Sequence, residues 1–283
     1  MEIQLLAVPY DSGNRGVRMG AGPERLLDAG LERALRENGH SVRTSIAELA
    51  PGAWQAEIQT SFELMRMLST AVRDARESGR FPIVLAGNCS TAAGTLAGLG
   101  AEFTGVAWFD AHGDFNTPET TGSGFLDGTA VALITGRCWT QLAATIPGFS
   151  AIPDNRVCLI GTRDLDQLER ALLDESSVDV IEPEHFRSAL PGTLRRIRAQ
   201  VDSIYVHLDL DVLDSAVAAA NSYALSGGLT LVDLEDSLAQ IAAHFRVSGV
   251  TLSAYDPAVD TFGHAAEAAI RLICTAARVA QRA

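Results

Sequence analysis

The sequence contains few cysteines, and no two of them lie close together. Four are present, and none belongs to a C-x-x-C pair: they are Cys89, Cys138, Cys158 and Cys274. This spacing excludes a zinc ribbon and a compact disulfide framework. We therefore expect free thiols and a reducing, cytoplasmic environment.

Basic residues are also scarce. The chain has 22 Lys and Arg residues against 35 Asp and Glu residues, which gives a formal net charge of −13. Nucleic acids and anionic membranes bind clustered cationic side chains, so this balance argues against both as partners.

Long apolar runs are absent as well. No segment reaches the roughly 18 apolar residues that suggest a membrane span. After Met1, the only candidate for a secretory leader is interrupted by Asp11, Arg15 and Arg18, so we expect no signal peptide. The hydrophobic content of 47% is nevertheless ordinary for a soluble globular protein and allows a sizeable core.

Short β-rich runs alternate with longer amphipathic runs along the chain. The expected strands are IQLLAV (3–8), PIVLA (82–86), GVAWF (105–109), RVCLIG (156–161), VDVI (178–181), SIYVHL (203–208) and GVTLSA (249–254). The expected helices cover 22–38, 61–77, 231–245 and 265–280. This alternation predicts an α/β fold in which a mainly parallel sheet lies between two layers of helices. No repeat or linker divides the chain, so we expect a single domain over residues 1–283.

Three of the expected strands are each followed by side chains that bind metal ions in proteins. These are Cys89 after 82–86, then Asp110, His112 and Asp114 after 105–109, and Asp209, Asp211 and Asp214 after 203–208. Side chains two apart on an extended segment point the same way, and the carboxyl ends of parallel strands share one edge. A lone Asp there would indicate a helix cap or turn. Several carboxylates buried together would be prohibitively unfavourable without cations, so the pattern predicts a metal site.

These motifs resemble those of the arginase-like ureohydrolases, and the resemblance covers nearly the whole chain. The family patterns G-G-D-H-S, D-A-H-x-D and S-x-D-x-D-x-x-D-P read here as AGNCS (86–90), DAHGD (110–114) and HLDLDVLDS (207–215). The resemblance implies a three-layer α/β/α domain that binds two manganese ions and hydrolyses a guanidine. The implied ligands are Asp110 and Asp209 as bridges, Cys89 and Asp114 at one ion, and His112 and Asp211 at the other. It also implies that Asp114 is catalytic, carrying a proton to the departing nitrogen.

The segments that follow the second motif resemble the arginase branch of the family. DFNTPETTGSGFLDG (114–128) is similar to the loop that holds the α-carboxylate of the substrate, which implies that role for Asn116 and Ser123. GTRDLDQLE (161–169) is similar to the segment that binds the α-amino group, which implies that role for Asp166. Together they imply a small-molecule substrate with a free α-amino acid end.

Three residues depart from the arginase pattern. Cys89 stands in place of a metal-binding histidine, and a thiolate is a softer ligand that is less expected for manganese. Asp127 stands in place of a histidine thought to move protons at the mouth of the site, and it either replaces that group or caps a turn. Ala254 stands in place of a glutamate that pairs with the guanidinium of arginine. A methyl group cannot neutralise that cation.

These departures leave two interpretations, a metal-binding relative without turnover or an enzyme for an altered guanidine. An N-hydroxyguanidine is less basic than a guanidine, so loss of the glutamate costs it less. Phe125 and Tyr223, bulkier than their arginase counterparts, would reshape the pocket or simply pack. The combination resembles the branch that cleaves Nω-hydroxy-L-arginine to L-ornithine and hydroxyurea for D-cycloserine biosynthesis. We expect this activity, with ordinary arginase activity or non-catalytic amino-acid binding as alternatives.

Two further expectations concern single features of the chain. His207 replaces the serine of the third motif, and we expect it to be a hydrogen-bonded core residue rather than a base. Arginases commonly form trimers through a tail beyond the last helix. This chain stops near Ala283 directly after the expected last helix, so a monomer is favoured.

Overall fold

The computed structural model describes residues 1–50, 56–100 and 104–281. Eight of its strands form one parallel sheet, and two short ones form an antiparallel ribbon near the start of the chain. The strands are β1 (Glu2–Val8), β2 (Tyr10–Asp11), β3 (Asn14–Arg15), β4 (Ser41–Ile46), β5 (Phe81–Ala86), β6 (Thr104–Phe109), β7 (Val157–Ile160), β8 (Asp179–Ile181), β9 (Ser203–Asp209) and β10 (Arg246–Ser253).

Helices cover both faces of the sheet. They are α1 (Gly22–Asp28), α2 (Leu31–Glu37), α3 (Glu57–Glu77), α4 (Ala92–Leu99), α5 (Ala130–Ile134), α6 (Thr140–Ala143), α7 (Gln167–Asp174), α8 (Phe186–Arg198), α9 (Leu231–His244) and α10 (His264–Ala280). Successive side chains of a strand point to opposite faces, so Ile83 packs in one apolar cluster and Val84 in the other. The first cluster takes in Leu194 of α8 and Leu272 of α10, and the second takes in Leu68 of α3. The expected three-layer α/β/α fold is confirmed.

The seven expected strands all form, with ends shifted by a few residues. An eighth, β4, was not predicted; it pairs only with β1 at one edge of the sheet. The helix expected over 22–38 is two helices, α1 and α2, because Gly30 between them has a φ of 96°. A left-handed residue of this kind ends a helix, and glycine adopts it without a steric penalty.

The strand order explains how distant segments meet. The sheet runs β4-β1-β5-β10-β9-β6-β7-β8, so β5, β10, β9 and β6 are consecutive at its centre. Cys89, Ala254, Asp209 and Asp110 lie at or just beyond the carboxyl ends of these four strands. Parallel sheets place their ligand sites at this edge. Across the described ranges, no helix is both long enough and apolar enough to cross a membrane.

Candidate metal centre

Two groups of side chains at the centre of the sheet's carboxyl edge, buried or nearly so, are arranged like metal ligands. One comprises Cys89, Asp110 and Asp209, and the other comprises Asp110, His112 and Asp211. Within each group the ligand atoms lie within 4.8 Å of one another. Because Asp110 belongs to both groups, the two candidate sites are adjacent and share one carboxylate.

Asp110 is held in place by its own strand end. The indole Nε1 of Trp108 donates to Oδ2 at 3.0 Å, and the backbone N–H of His112 donates to Oδ1 at 2.7 Å. The imidazole Nδ1 of His112 lies 3.3 Å from Asp110 Oδ1 and 3.4 Å from Asp211 Oδ2. Burial disfavours the imidazolium, but the hydrogen bond to Asp110 and the surrounding carboxylates outweigh it and raise the pKa of His112 to about 9. A metal cation bound by the His112 imidazole would take the place of the proton that this raised pKa keeps on the ring.

The second pair of aspartates follows β9. The backbone N–H of Asp211 donates to Asp209 Oδ1 at 2.8 Å, which fixes the turn between them. Asn221 joins this turn to the end of β10, since its Nδ2 donates to Asp211 Oδ2 at 3.2 Å and to the carbonyl of Ala254 at 2.9 Å. Burial, followed by the charges of Asp211 and Asp110, raises the pKa of Asp209 well above its ordinary range. The carboxylates are therefore strongly destabilised without a compensating positive charge.

Cys89 lies directly beside this cluster. Its Sγ is 3.0 Å from Asp209 Oδ2, and the residue is 2% exposed. Burial, together with Asp209 and the other nearby carboxylates, raises the pKa of the Cys89 thiol well above its ordinary value. Gly87 lets the loop that carries Cys89 pack closely, since a Cβ there would lie 2.2 Å from the carbonyl oxygen of Tyr10.

Asp114 carries the clearest sign of a missing partner. Its side chain is buried, and its Oδ2 has no hydrogen-bond partner among the described residues. Burial raises the pKa of Asp114 well above its ordinary range, and the charges of Asp110 and Asp127 raise it further. The backbone at Asp114 has a φ of 49°, a left-handed conformation that is uncommon outside glycine and frequent at functional sites. An orphaned buried carboxylate oxygen among other carboxylates fits a divalent cation.

Asp127 has the capping role that was one of its two expected functions. Its carboxylate accepts hydrogen bonds from Asn88 Nδ2 at 3.1 Å, from Cys89 N at 2.9 Å and from Ser90 N at 2.7 Å. The group is 5% exposed, and burial raises its pKa to about 6 in spite of these hydrogen bonds. Asp127 thus caps the loop of Cys89 from another segment of the chain.

The expected substrate contacts line the same cavity, which has a volume of about 160 Å³. Asn116 is buried, and its Nδ2 donates to Asp166 Oδ2 at 3.2 Å. Ser123 lies farther out and is exposed, with its Oγ accepting the backbone N–H of Phe125 at 3.1 Å. Phe125 and Tyr223 also line the cavity, and their rings stack with centroids 5.9 Å apart.

Two supporting residues were not predicted. Glu169 accepts the backbone N–H groups of Phe115 at 2.8 Å and Asp166 at 3.3 Å, and so ties the two substrate-contact segments together. Its signal in the sequence was the D-x-x-E spacing of a capping box at α7. No local sequence pattern reveals the contacts of Arg163. It donates to six backbone carbonyl groups, which are those of Gly161, Asp211, Val212, Leu213, Leu225 and Ser226.

His207 is a core residue, as expected. It is fully buried, and its ring lies parallel to that of Trp108 with centroids 3.6 Å apart. Its Nδ1 is 3.1 Å from Tyr205 Oη and its Nε2 is 3.0 Å from Ser253 Oγ. Burial lowers the pKa of His207 to about 3, so the imidazole is neutral.

Sequence comparison gives a consistent family. The profile described as the arginase family matches residues 1–278. The arginase of Brucella melitensis is 31% identical over 97% of this chain and 95% of its own length.

Solved structures agree with this result. The Bacillus cereus arginase superposes with a TM-score of 0.88 at 26% identity, over 98% of each chain. The Entamoeba histolytica arginase, solved in complex with L-ornithine, has the same fold, with a TM-score of 0.85 at 20% identity over 97% of this chain and 98% of its own. The chain therefore belongs to the arginase family of ureohydrolases.

Proposed function

We propose that this chain is a two-metal amidinohydrolase that cleaves Nω-hydroxy-L-arginine to L-ornithine and hydroxyurea. The observation that carries the proposal is one cavity lined both by members of the two candidate ligand groups and by an uncharged residue, Ala254. The ligand groups support hydrolysis, and the uncharged side chain at position 254 supports a guanidine substrate of lowered basicity. As in the related branch of the family, the hydroxyurea would supply D-cycloserine biosynthesis.

The carboxylates, the imidazole and the thiol fit a pair of divalent cations, for which we propose manganese. When bound, two such cations lower the pKa of water and stabilise negative charge that develops on the substrate. Carboxylate oxygen and imidazole nitrogen are ordinary ligands for manganese, whereas thiolate is a softer one. The assignment is Asp110 and Asp209 as bridging ligands, Cys89 and Asp114 at one ion, and His112 and Asp211 at the other.

The α-amino acid end of the substrate is assigned to the outer part of the cavity. The carboxylate of Asp166 suits an ammonium group. It accepts one hydrogen bond, from Asn116, and its remaining lone pairs can accept others. Asn116 and the exposed hydroxyl of Ser123 suit the α-carboxylate. L-ornithine, which is the ligand in the Entamoeba histolytica arginase structure, has an α-amino acid end of this kind.

The reacting end of the substrate is assigned to the region next to Ala254. The side chain there is a methyl group, and the residue is 3% exposed. A guanidinium placed against it would be desolvated without an ion pair, which is costly. The electronegative oxygen of an N-hydroxyguanidine lowers its basicity, so this substrate can enter the site with less positive charge.

Proton transfer is assigned to Asp114. Its carboxylate has two oxygens, so one can bind an ion while the other carries a proton. We assign it the transfer of a proton from the attacking water to the δ-nitrogen of the departing ornithine.

Ordinary arginase activity is the second candidate. It is favoured by the Brucella and Bacillus relatives, which are arginases and match nearly the whole chain. It predicts rapid release of urea from L-arginine in spite of Ala254. A non-catalytic amino-acid binder would release neither urea nor hydroxyurea.

The test is to load the full chain with Mn²⁺, incubate it with Nω-hydroxy-L-arginine and measure ornithine and hydroxyurea by mass spectrometry. We expect both products in equal amounts. Asp110→Asn should abolish them, since Asp110 belongs to both ligand groups, whereas Asp174→Asn at an exposed position should not. No product from the loaded wild-type protein would overturn the proposal.

We further propose that residues 1–283 act as one domain and as a monomer. Sedimentation equilibrium measures the mass directly, and a value near 30.0 kDa is expected. A mass near three times that value would contradict the proposal.

A further inference from the structure

A row of hydrogen bonds leads from Cys89 into the apolar core, away from the cavity. The Sγ of Cys89 lies 3.1 Å from Ser253 Oγ, which lies 3.0 Å from His207 Nε2. On the far side, His207 Nδ1 lies 3.1 Å from Tyr205 Oη. Cys89 is 2% exposed and the other three are fully buried, so these groups hydrogen-bond within the protein rather than to water.

The sheet itself builds this row. Ser253 on β10 is paired in register with Asp209 on β9, and His207 lies two residues before Asp209. Residues two apart in a strand share a face, so Tyr205, His207 and Asp209, and Ser253 beside Asp209, lie on one face of the sheet. This is the face of the second apolar cluster, which contains Cys89 and Tyr205. Trp108 on the neighbouring strand stacks on the imidazole with an interplanar angle of 7°, which fixes the ring plane.

From this arrangement we infer that Ser253, held by His207, is a positioning residue that donates a hydrogen bond to the Cys89 thiolate when Cys89 binds a metal ion. The inference rests on the proposed function, in which Cys89 is a ligand. As the metal–sulfur bond forms, the thiol proton is released to solvent, and the sulfur can then only accept hydrogen bonds.

The hydrogen-bond donors of Tyr205, His207 and Ser253 match the thiolate state of Cys89. The Tyr205 hydroxyl, the neutral His207 imidazole and the Ser253 hydroxyl each carry one proton that they can donate. If Tyr205 donates to His207 Nδ1, then His207 Nε2–H donates to Ser253 Oγ, and Ser253 donates to the sulfur. Three protons make three hydrogen bonds in one direction, and no donor in the row is left unused.

The consequence concerns how the thiolate binds. A charge-assisted hydrogen bond withdraws electron density from sulfur, which makes the thiolate a harder ligand. It also offsets part of the free-energy cost of burying the thiolate charge. Groups that hydrogen-bond to a metal ligand change metal affinity by about 10- to 100-fold when removed. Ser253 would thus adapt an unusual cysteine ligand to a hard cation.

The test uses the full chain loaded with Co²⁺, because a thiolate bound to cobalt gives a near-ultraviolet charge-transfer band. We expect the band in the wild-type protein and its loss in Cys89→Ala. Ser253→Ala should keep the band but shift it to longer wavelength, since the sulfur lone pairs rise in energy without their hydrogen bond. Ser248→Ala is the matched control on the same strand, because its Oγ donates to the carbonyl of Ile204 instead, and it should leave the band unchanged.

Affinity for Mn²⁺ provides a second readout, measured from the electron paramagnetic resonance signal of free Mn²⁺. Ser253→Ala should weaken binding by about 10-fold or more, and Ser253→Thr, which keeps the hydroxyl, should restore it. A band in Ser253→Ala at the wild-type position would overturn the inference and leave the proposed function intact. A wild-type cobalt protein with no band would overturn Cys89 as a ligand and the inference with it, whereas hydroxyurea release by the Mn²⁺-loaded protein would still support the proposed reaction.

Discussion

Asp127 binds the backbone N–H of Cys89 at 2.9 Å, across 38 residues of chain. The same carboxylate accepts the backbone N–H of Ser90 at 2.7 Å. Asp127 thus anchors the loop that presents a candidate metal ligand, although it is not itself a member of either ligand group.

Replacement of Asp127 should therefore loosen the Cys89 loop. Asp127→Ala leaves two backbone N–H groups without their acceptor, and we expect the free energy of unfolding to fall by about 3 kcal/mol. Urea denaturation measures the change. Asp236→Ala, at an exposed position, should leave stability within about 0.5 kcal/mol of wild type. An Asp127→Ala protein as stable as wild type would show that the loop does not depend on this carboxylate.

Arg163 should be required as arginine. Its planar guanidinium donates to several carbonyl groups at once, including those of Asp211 and Leu225, both at 2.9 Å. A lysine ammonium cannot reproduce this geometry, so Arg163→Lys should destabilise the fold by about 2 kcal/mol. Arg33→Lys, at a side chain that is 76% exposed, is the control and should have little effect in thermal unfolding. Equal melting temperatures for the two variants would contradict the prediction.

Glu169 should make the metal-free protein less stable as pH rises. Burial outweighs the hydrogen bonds from Phe115 and Asp166 and raises the pKa of Glu169 to about 7. Because the folded protein then holds a proton that the unfolded chain releases near pH 4.5, stability is lost between about pH 4.5 and 7.

Urea denaturation in the presence of a chelator, at pH 4.5 and at pH 7.5, measures this loss. Glu169→Gln should make the fall in stability with pH smaller, by about 1.4 kcal/mol for each unit of pKa shift removed. Glu184→Gln, at an exposed position, should leave the fall unchanged. A Glu169→Gln protein with the wild-type pH dependence would refute the assignment.

A carboxylate at position 254 should change the substrate preference. Ala254 lines the cavity and has a φ of 62°, so its backbone already takes a conformation that is uncommon for a non-glycine residue. Ala254→Glu would supply an ion-pair partner for a guanidinium and should raise kcat/KM for L-arginine by about 10-fold or more. Ala258→Glu, outside the cavity, should not. The initial rate of urea release measures both, and equal rates would argue against a role for position 254.

The sequence was informative about the fold wherever apolar patterns were strong. The central strands were predicted because they are buried on both faces, as in the run from Gly105 to Phe109. Two of the missed elements lack such patterns: strand β4 is an edge strand with mostly polar, partly exposed residues, and helix α4 is buried all round and so has no amphipathic period. Helix α8 is amphipathic, but it contains Pro191 in its interior, which argues against a helix in the sequence.

Much of the candidate site was also readable, because strand-end motifs identify residues that share one edge of a parallel sheet. The structure brings Cys89, Asp110, His112, Asp209 and Asp211 together, whereas Asp114, the sixth predicted ligand, belongs to neither group. The supporting contacts were not readable, since they depend on backbone groups and on which strands are neighbours. The approach of Ser253 to Cys89 spans 164 residues and follows only from the order of the strands.

The most direct test of the central claim is the ratio of kcat/KM for Nω-hydroxy-L-arginine to that for L-arginine, measured on the Mn²⁺-loaded wild-type chain by ornithine release. An unpaired buried cation costs about 3 kcal/mol, so we predict a ratio of about 100 in favour of the hydroxylated substrate. A ratio of one or less would contradict the account and identify the chain as an ordinary arginase that tolerates Ala254.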